Sequence, residues 1–155
     1  FSSAMIAEYP DHFVRVSDFK QLTPVEQESF IRNILAEPEF AELRPLGRPD
    51  AYVASIIRAI GDVKKDALTP NMVTEHAEAE IKRIKKDESS ISTRGASKGK
   101  LKAEAVEKIE RLQKTILFAK VYERYEEVKE KAKLRDYDDL IILAINSREI
   151  PLYFS

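Results

Sequence analysis

The chain has 155 residues, 43% of them hydrophobic and 34% charged, with a formal net charge of −1, which suits one soluble, helix-rich domain with a core. It has no cysteine, which excludes disulfides, zinc–thiolate sites and thiol catalysis and fits a cytoplasmic protein. No apolar run nears the ~20 residues of a membrane span, and the first residues lack the basic-then-apolar order of a secretion signal.

Ser2 to Tyr9 reads as a short helix stopped by Pro10. Thr23-Pro24-Val25-Glu26 is a strong helix start, with Thr as the cap, Pro at the first helical position and Glu three residues after the cap. Val25, Phe30, Ile31, Ile34 and Leu35 supply its apolar side, and Pro38 bounds it. Phe40 and Leu43 suit a single helical turn, and Leu46-Gly47-Arg48-Pro49 a bend. Tyr52, Val53, Ile56, Ile57, Ile60 and Val63 recur at helical spacing. Thr69-Pro70 opens the next helix, whose apolar face is Met72, Val73, Ala77, Ile81 and Ile84.

Residues 88–99 are rich in Ser and Gly and lack periodicity, so a flexible loop is expected there. The longest helix is expected from about Leu101 to Lys133, with Leu101, Ala105, Ile109, Leu112, Ile116, Ala119, Tyr125 and Val128 at intervals of three or four. A last helix is expected from about Tyr137 to Asn146, before an apolar tail, Ile150-Pro151-Leu152-Tyr153-Phe154. No period-two pattern persists and no internal repeat is present. The expected fold is all-α: one domain over residues 1–155, an irregular or orthogonal bundle of five or six helices with one long helix. The chain begins with Phe1 and ends in an apolar tail, so it is expected to be a piece of a longer polypeptide.

Charge is unevenly spread. Residues 85–102 carry Lys85, Lys86, Arg94, Lys98, Lys100 and Lys102 against only Asp87 and Glu88, a local net of +4, while both flanking regions are net negative. These six cations are candidate phosphate contacts, with Ser89, Ser90, Ser92 and Thr93 as added hydrogen-bond donors and Gly95 and Gly99 allowing close backbone approach. A solvated linker is the plainer reading of the same segment. Tyr122 and Tyr125 suit core or boundary positions better than base stacking. His76 and Glu80 have the i, i+4 spacing of a metal pair but no third ligand, so no metal is expected.

Asp136-Tyr137-Asp138-Asp139-Leu140-Ile141 closes the long helical region. As local chemistry it is a helix start, with Asp136 as cap, Asp139 as the reciprocal acid three residues on, and negative charge where the helix dipole favours it. The same six residues resemble the D-[FY]-D-D-[LM]-[IL] segment of UvrD/Rep-type superfamily 1 DNA helicases. Three weaker likenesses stand in the same order as in that family: Phe1-Ser2-Ser3-Ala4-Met5-Ile6 with Glu8-Tyr9-Pro10, the Thr69-Pro70 helix start, and Ile91-Ser92-Thr93-Arg94-Gly95 with Lys98-Gly99. Val121-Tyr122-Glu123-Arg124-Tyr125 precedes the aspartate motif as a Y-x-x-Y element does there.

The resemblance implies the helical subdomain 1B, a DNA-flanking insertion between the T-F-H-S-F and Walker B motifs of an ATP-driven, 3′–5′ translocase. It implies DNA as a partner and an ATPase core in the same polypeptide, to which residues 148–155 lead back, with ATP and magnesium belonging to that core. This segment departs from an ATPase. Gly95-Ala96-Ser97-Lys98-Gly99-Lys100-Leu101 is one residue short of a P-loop, ends in Leu rather than Ser or Thr and follows no strand. No ATP hydrolysis is expected from this chain alone. The alternative expectation, from a different class, is a helical protein–protein interaction or scaffold module working through the long helix or the apolar tail.

Overall fold

The structure is a computed structural model that describes residues 20–142. The expected first helix, the Phe1–Pro10 likeness, His12 and the 148–155 tail lie outside the described residues. The order is β1 (Lys20–Gln21), α1 (Pro24–Leu35), a 3-10 turn (Pro38–Leu43), α2 (Val53–Lys65), α3 (Pro70–Lys86), two further 3-10 turns (Glu88–Ser90 and Gly95–Ser97), α4 (Ala103–Lys131) and β2 (Leu134–Arg135). Residues 137–142 open a further helix, α5. The fold is all-α, with one long helix of 29 residues. The two short strands are the exception to the expected absence of β structure. They pair in parallel, Lys20 beside Leu134 and Gln21 beside Arg135.

Two compact units divide the described chain, one of residues 20–67 with 124–142, the other of residues 68–123. In the first, α1 starts as its sequence dictates. Thr23 N donates to Glu26 Oε2 at 2.8 Å and Glu26 N donates to Thr23 Oγ1 at 3.3 Å, a reciprocal capping box. Ile31, Ile34 and Leu35 bury against α2 together with Phe40, Val53, Ile56 and Ile60. Each such side chain gains roughly 1.5–3 kcal/mol on leaving water. Val25, expected on the apolar side, is 79% exposed: it stands in the first turn, before the stripe meets the core. Tyr52, 42% exposed, likewise sits at the start of α2.

In the second unit, Thr69 Oγ1 accepts from Met72 N at 3.2 Å and caps α3. Ile84 packs with Ala105 and Ile109 of α4, bordered by Ile81, Leu101 and Leu112. Tyr122 is buried, and its hydroxyl donates to the Leu68 carbonyl at 3.2 Å. Met72, expected on the apolar face of α3, is half exposed in the first turn.

Candidate nucleic-acid interface

The basic segment forms a closed hairpin between α3 and α4. Asp87 ends α3 and turns its carboxylate onto Ser89 N at 2.9 Å, and Ser89 holds that carboxyl below the usual range. Ile91 and Leu101 pair as an antiparallel bridge. Ser92 N donates to Lys100 O, Gly99 N to Ser92 O, and Lys102 N to Ser90 O, all at 2.8–2.9 Å. Gly95 (φ 73°) and Gly99 (φ 82°) occupy left-handed positions that let the chain reverse within this short span. The bridge spans the residues expected as loop, and Leu101 packs against the apolar cluster of Ile84, Ala105 and Ile109.

Tight closure leaves the cations outside. Lys85, Lys86, Arg94, Lys98, Lys100 and Lys102 are all exposed, as is Thr93, while Ser92 is partly covered and its hydroxyl donates to Arg94 O at 3.1 Å. The amides of Gly99, Lys100 and Lys102 donate to carbonyls inside the hairpin. They are therefore not aimed outward as the amides of a phosphate-cradling loop are. Two cations beyond the expected set, Arg83 near the end of α3 and Lys108 in the second turn of α4, line a cavity with Lys102 at the base of the hairpin. Their single letters gave no hint, because each reads as one more solvated charge on a helix.

The aspartate motif sits in the other unit, where it forms a buried charge node. Asp136 and Asp139 exchange backbone bonds, Asp139 N to Asp136 Oδ1 at 2.9 Å and Asp136 N to Asp139 Oδ2 at 3.1 Å, which is the expected box at the start of α5. Lys64 of α2 donates to both carboxylates at 2.9 and 2.5 Å, and Lys129 of α4 donates to both at 2.8 and 2.6 Å. Glu126 Oε1 lies 3.1 Å from the first ammonium and 2.9 Å from the second. The Tyr125 hydroxyl donates to Asp136 Oδ2 at 3.0 Å and accepts from Gln27 Nε2, and the Lys129 ammonium lies 4.8 Å from the centre of the Tyr125 ring.

Burial disfavours charge on Asp136, but the ammonium groups of Lys129 and Lys64 outweigh it and hold the carboxyl far below its ordinary value. Burial alone would pull Lys64 down, yet the carboxylates of Asp136, Asp139 and Glu126 drive it well above the usual lysine range. Burial and the Asp136 charge push the Tyr125 hydroxyl up. Carboxylate oxygens of Glu126, Asp136 and Asp139 come within 4.8 Å of one another, a spacing a metal ion could use. Two ammonium groups already occupy that space at 2.5–3.1 Å, so the donor set suits lysine rather than a divalent cation.

Neither Lys64 nor Lys129 was singled out from sequence. The available signal was position: Lys64 continues the Val53–Ile56–Ile60 stripe, and Lys129 continues Tyr122–Tyr125. A charge on an apolar stripe needs a buried partner.

The family model for the UvrD/REP helicase N-terminal domain matches residues 1–152, and the chain belongs to that family. Comparison with curated proteins and with solved structures gives no match. Among the described residues no helix is long and apolar enough to cross a membrane.

Proposed function

We propose that this chain is a DNA-contacting accessory segment of an ATP-dependent DNA helicase, corresponding to subdomain 1B, and that it contacts the phosphate backbone through the hairpin cations. The observation that carries this reading is the exposure of Arg94, Lys98, Lys100 and Lys102 on one hydrogen-bonded hairpin, with Lys85 and Lys86 exposed at the end of the helix that leads into it. A closed backbone holds the hairpin charges together at the surface, which is what a sequence-independent phosphate contact needs. Ser92 and Thr93 stand beside them as further donors. ATP and magnesium belong to a core elsewhere in the same polypeptide. The internal bonding of the Lys98, Gly99 and Lys100 amides supports this division, because a triphosphate would need those donors. The aspartate motif has a structural role here, fixing where α5 begins.

The test is fluorescence anisotropy of the chain with a labelled single-strand/duplex junction at low and moderate salt. The expected result is binding with a dissociation constant on the order of 10⁻⁴–10⁻⁶ M that weakens steeply with salt. The combined Lys98→Glu, Lys100→Glu and Lys102→Glu variant should abolish it. A folded chain that ignores DNA at low salt would overturn the reading and favour a protein-docking module.

A further inference from the structure

A half-open cavity of about 200 Å³ lies between the end of α3 and the start of α4, at the base of the hairpin. Its wall carries the cations Arg83, Lys102 and Lys108 and the hydroxyl-bearing Ser89 and Ser90. We propose that this cavity seats a single backbone phosphate of DNA, so that the strand is anchored at one point while the outer hairpin lysines attract it from a distance. The proposal rests on the DNA-contacting reading above and adds a defined subsite to it.

Size and chemistry carry it. The volume is below the roughly 300–1,000 Å³ of pockets that enclose whole small molecules, which leaves room for a phosphate group rather than for a nucleotide. Arg83 uses Nε and Nη2 to hold Glu80, leaving Nη1 for another acceptor. Lys102, just before α4, and Lys108, in its second turn, both line the cavity. The first helical bond of α4 comes from Val106 N to Lys102 O at 3.0 Å. The three amides before it have no partner in their own helix, and Ala105 lines the cavity. The helix end thus adds to the three cations on the cavity wall. Lys102 belongs both to the cavity wall and to the exposed basic segment, and so links the two.

Two carboxylates on the wall oppose the charge, Asp87 and Glu104. Asp87 accepts from Ser89 N, and its carboxyl is held low by that bond and by the nearby charges of Arg83 and Lys102. Glu104, in the first turn of α4, is the group a phosphate would have to face. This gives a test the hairpin lysines cannot imitate, because Lys108 and Glu104 belong to the cavity and not to the hairpin.

Junction DNA binding of the 155-residue chain is measured for Lys108→Ala, Arg83→Gln and Glu104→Gln across a salt series, with far-UV circular dichroism confirming the fold. Backbone amide NMR shifts are followed as inorganic phosphate and then a short single-stranded oligonucleotide are added. Lys108→Ala should weaken binding several-fold and lower the salt slope by about 0.7–0.9, the loss of one phosphate contact. Arg83→Gln should weaken it similarly, and Glu104→Gln should tighten it. The oligonucleotide should shift Ser90 and Lys102–Ala105. Unchanged affinity in all three variants, with binding still lost on changing Lys98, Lys100 and Lys102 to Glu, overturns the subsite and leaves the DNA-contacting function standing. Absence of DNA binding by the unmodified chain overturns both. Shifts at these amides with inorganic phosphate but not with the oligonucleotide would assign the cavity to a free anion and likewise overturn the backbone-phosphate assignment.

Discussion

Lys64 and Asp136, 72 residues apart, meet with Nζ 2.9 Å from Oδ2, and both side chains are only 5% exposed. Around this contact the start of α5 is tied to α2 and α4 by ammonium–carboxylate bonds. A buried pair of this kind contributes little relative to a well-packed apolar substitute, but breaking it leaves one charge stranded. Lys129→Met should therefore destabilise the chain by about 3–5 kcal/mol. Urea unfolding followed by circular dichroism checks this, and an unchanged midpoint would refute the node as described. In a double-mutant cycle, Lys129→Met and Asp136→Asn should couple by more than ~0.5 kcal/mol.

The node also sets a pH window. The Asp136 carboxyl is lowered in the folded state, so its contribution is full above the ordinary value of 3.8 and fades as pH falls toward the folded value. Lys64 is raised, so its contribution is full below the ordinary 10.5 and fades as pH climbs. Tyr125, raised from 10.0, adds to that alkaline loss. Stability should be flat between about pH 5 and 9 and fall on both sides. In Asp136→Asn the acid limb should be shallower than in the unmodified chain; equal limbs would contradict the assignment.

Gly61 lies inside α2, and a Cβ added there would come 3.1 Å from Asp138 Oδ2. An alanine needs only a small shift of that carboxylate, and it gains helix propensity of about 1 kcal/mol. A leucine would have to displace Asp138 altogether. Gly61→Ala should leave the melting temperature within a few degrees of the unmodified value, whereas Gly61→Leu should lower it clearly. Equal melting temperatures for the two would show that Asp138 does not limit this site.

Ala67 has φ 56°, a left-handed position beyond the end of α2 that costs an L-residue roughly 1–2 kcal/mol. Gly in its place should raise stability by up to about 1 kcal/mol, the strain relief being partly offset by the freer unfolded chain. Two residues on, the Thr69 cap at the start of α3 is worth about 1 kcal/mol, to be lost in Thr69→Ala. Calorimetry on the two single variants should show shifts of opposite sign.

Sequence carried the helix starts well. Thr23-Pro24, Thr69-Pro70 and the Asp136/Asp139 pair each act within three residues, and local chemistry decides them. The long helix was also legible, because its apolar positions repeat over many turns. Depth of burial was not: Val25 and Met72 fit their stripes by spacing, yet both lie in first turns that project beyond the core. The charge node was out of reach for a further reason. Lys64 and Lys129 find Asp136 through tertiary folding, and no local rule pairs residues from three helices. The hairpin was readable as basic and turn-rich, but the Ile91–Leu101 bridge that closes it depends on two isolated apolar residues with no strand pattern around them.

The parallel pairing of Lys20–Gln21 with Leu134–Arg135 has a mechanical consequence. Lys20 N donates to Lys133 O at 2.9 Å and Leu22 N to Arg135 O at 2.7 Å, so the long stretch between the strands is a closed loop. Tension applied to the backbone at residue 20 and residue 135 is borne by this clasp, with the hydrogen bonds loaded in shear. The basic hairpin, far along the loop, lies off that load path. A pull on the chain ends would reach it only after the clasp had given way.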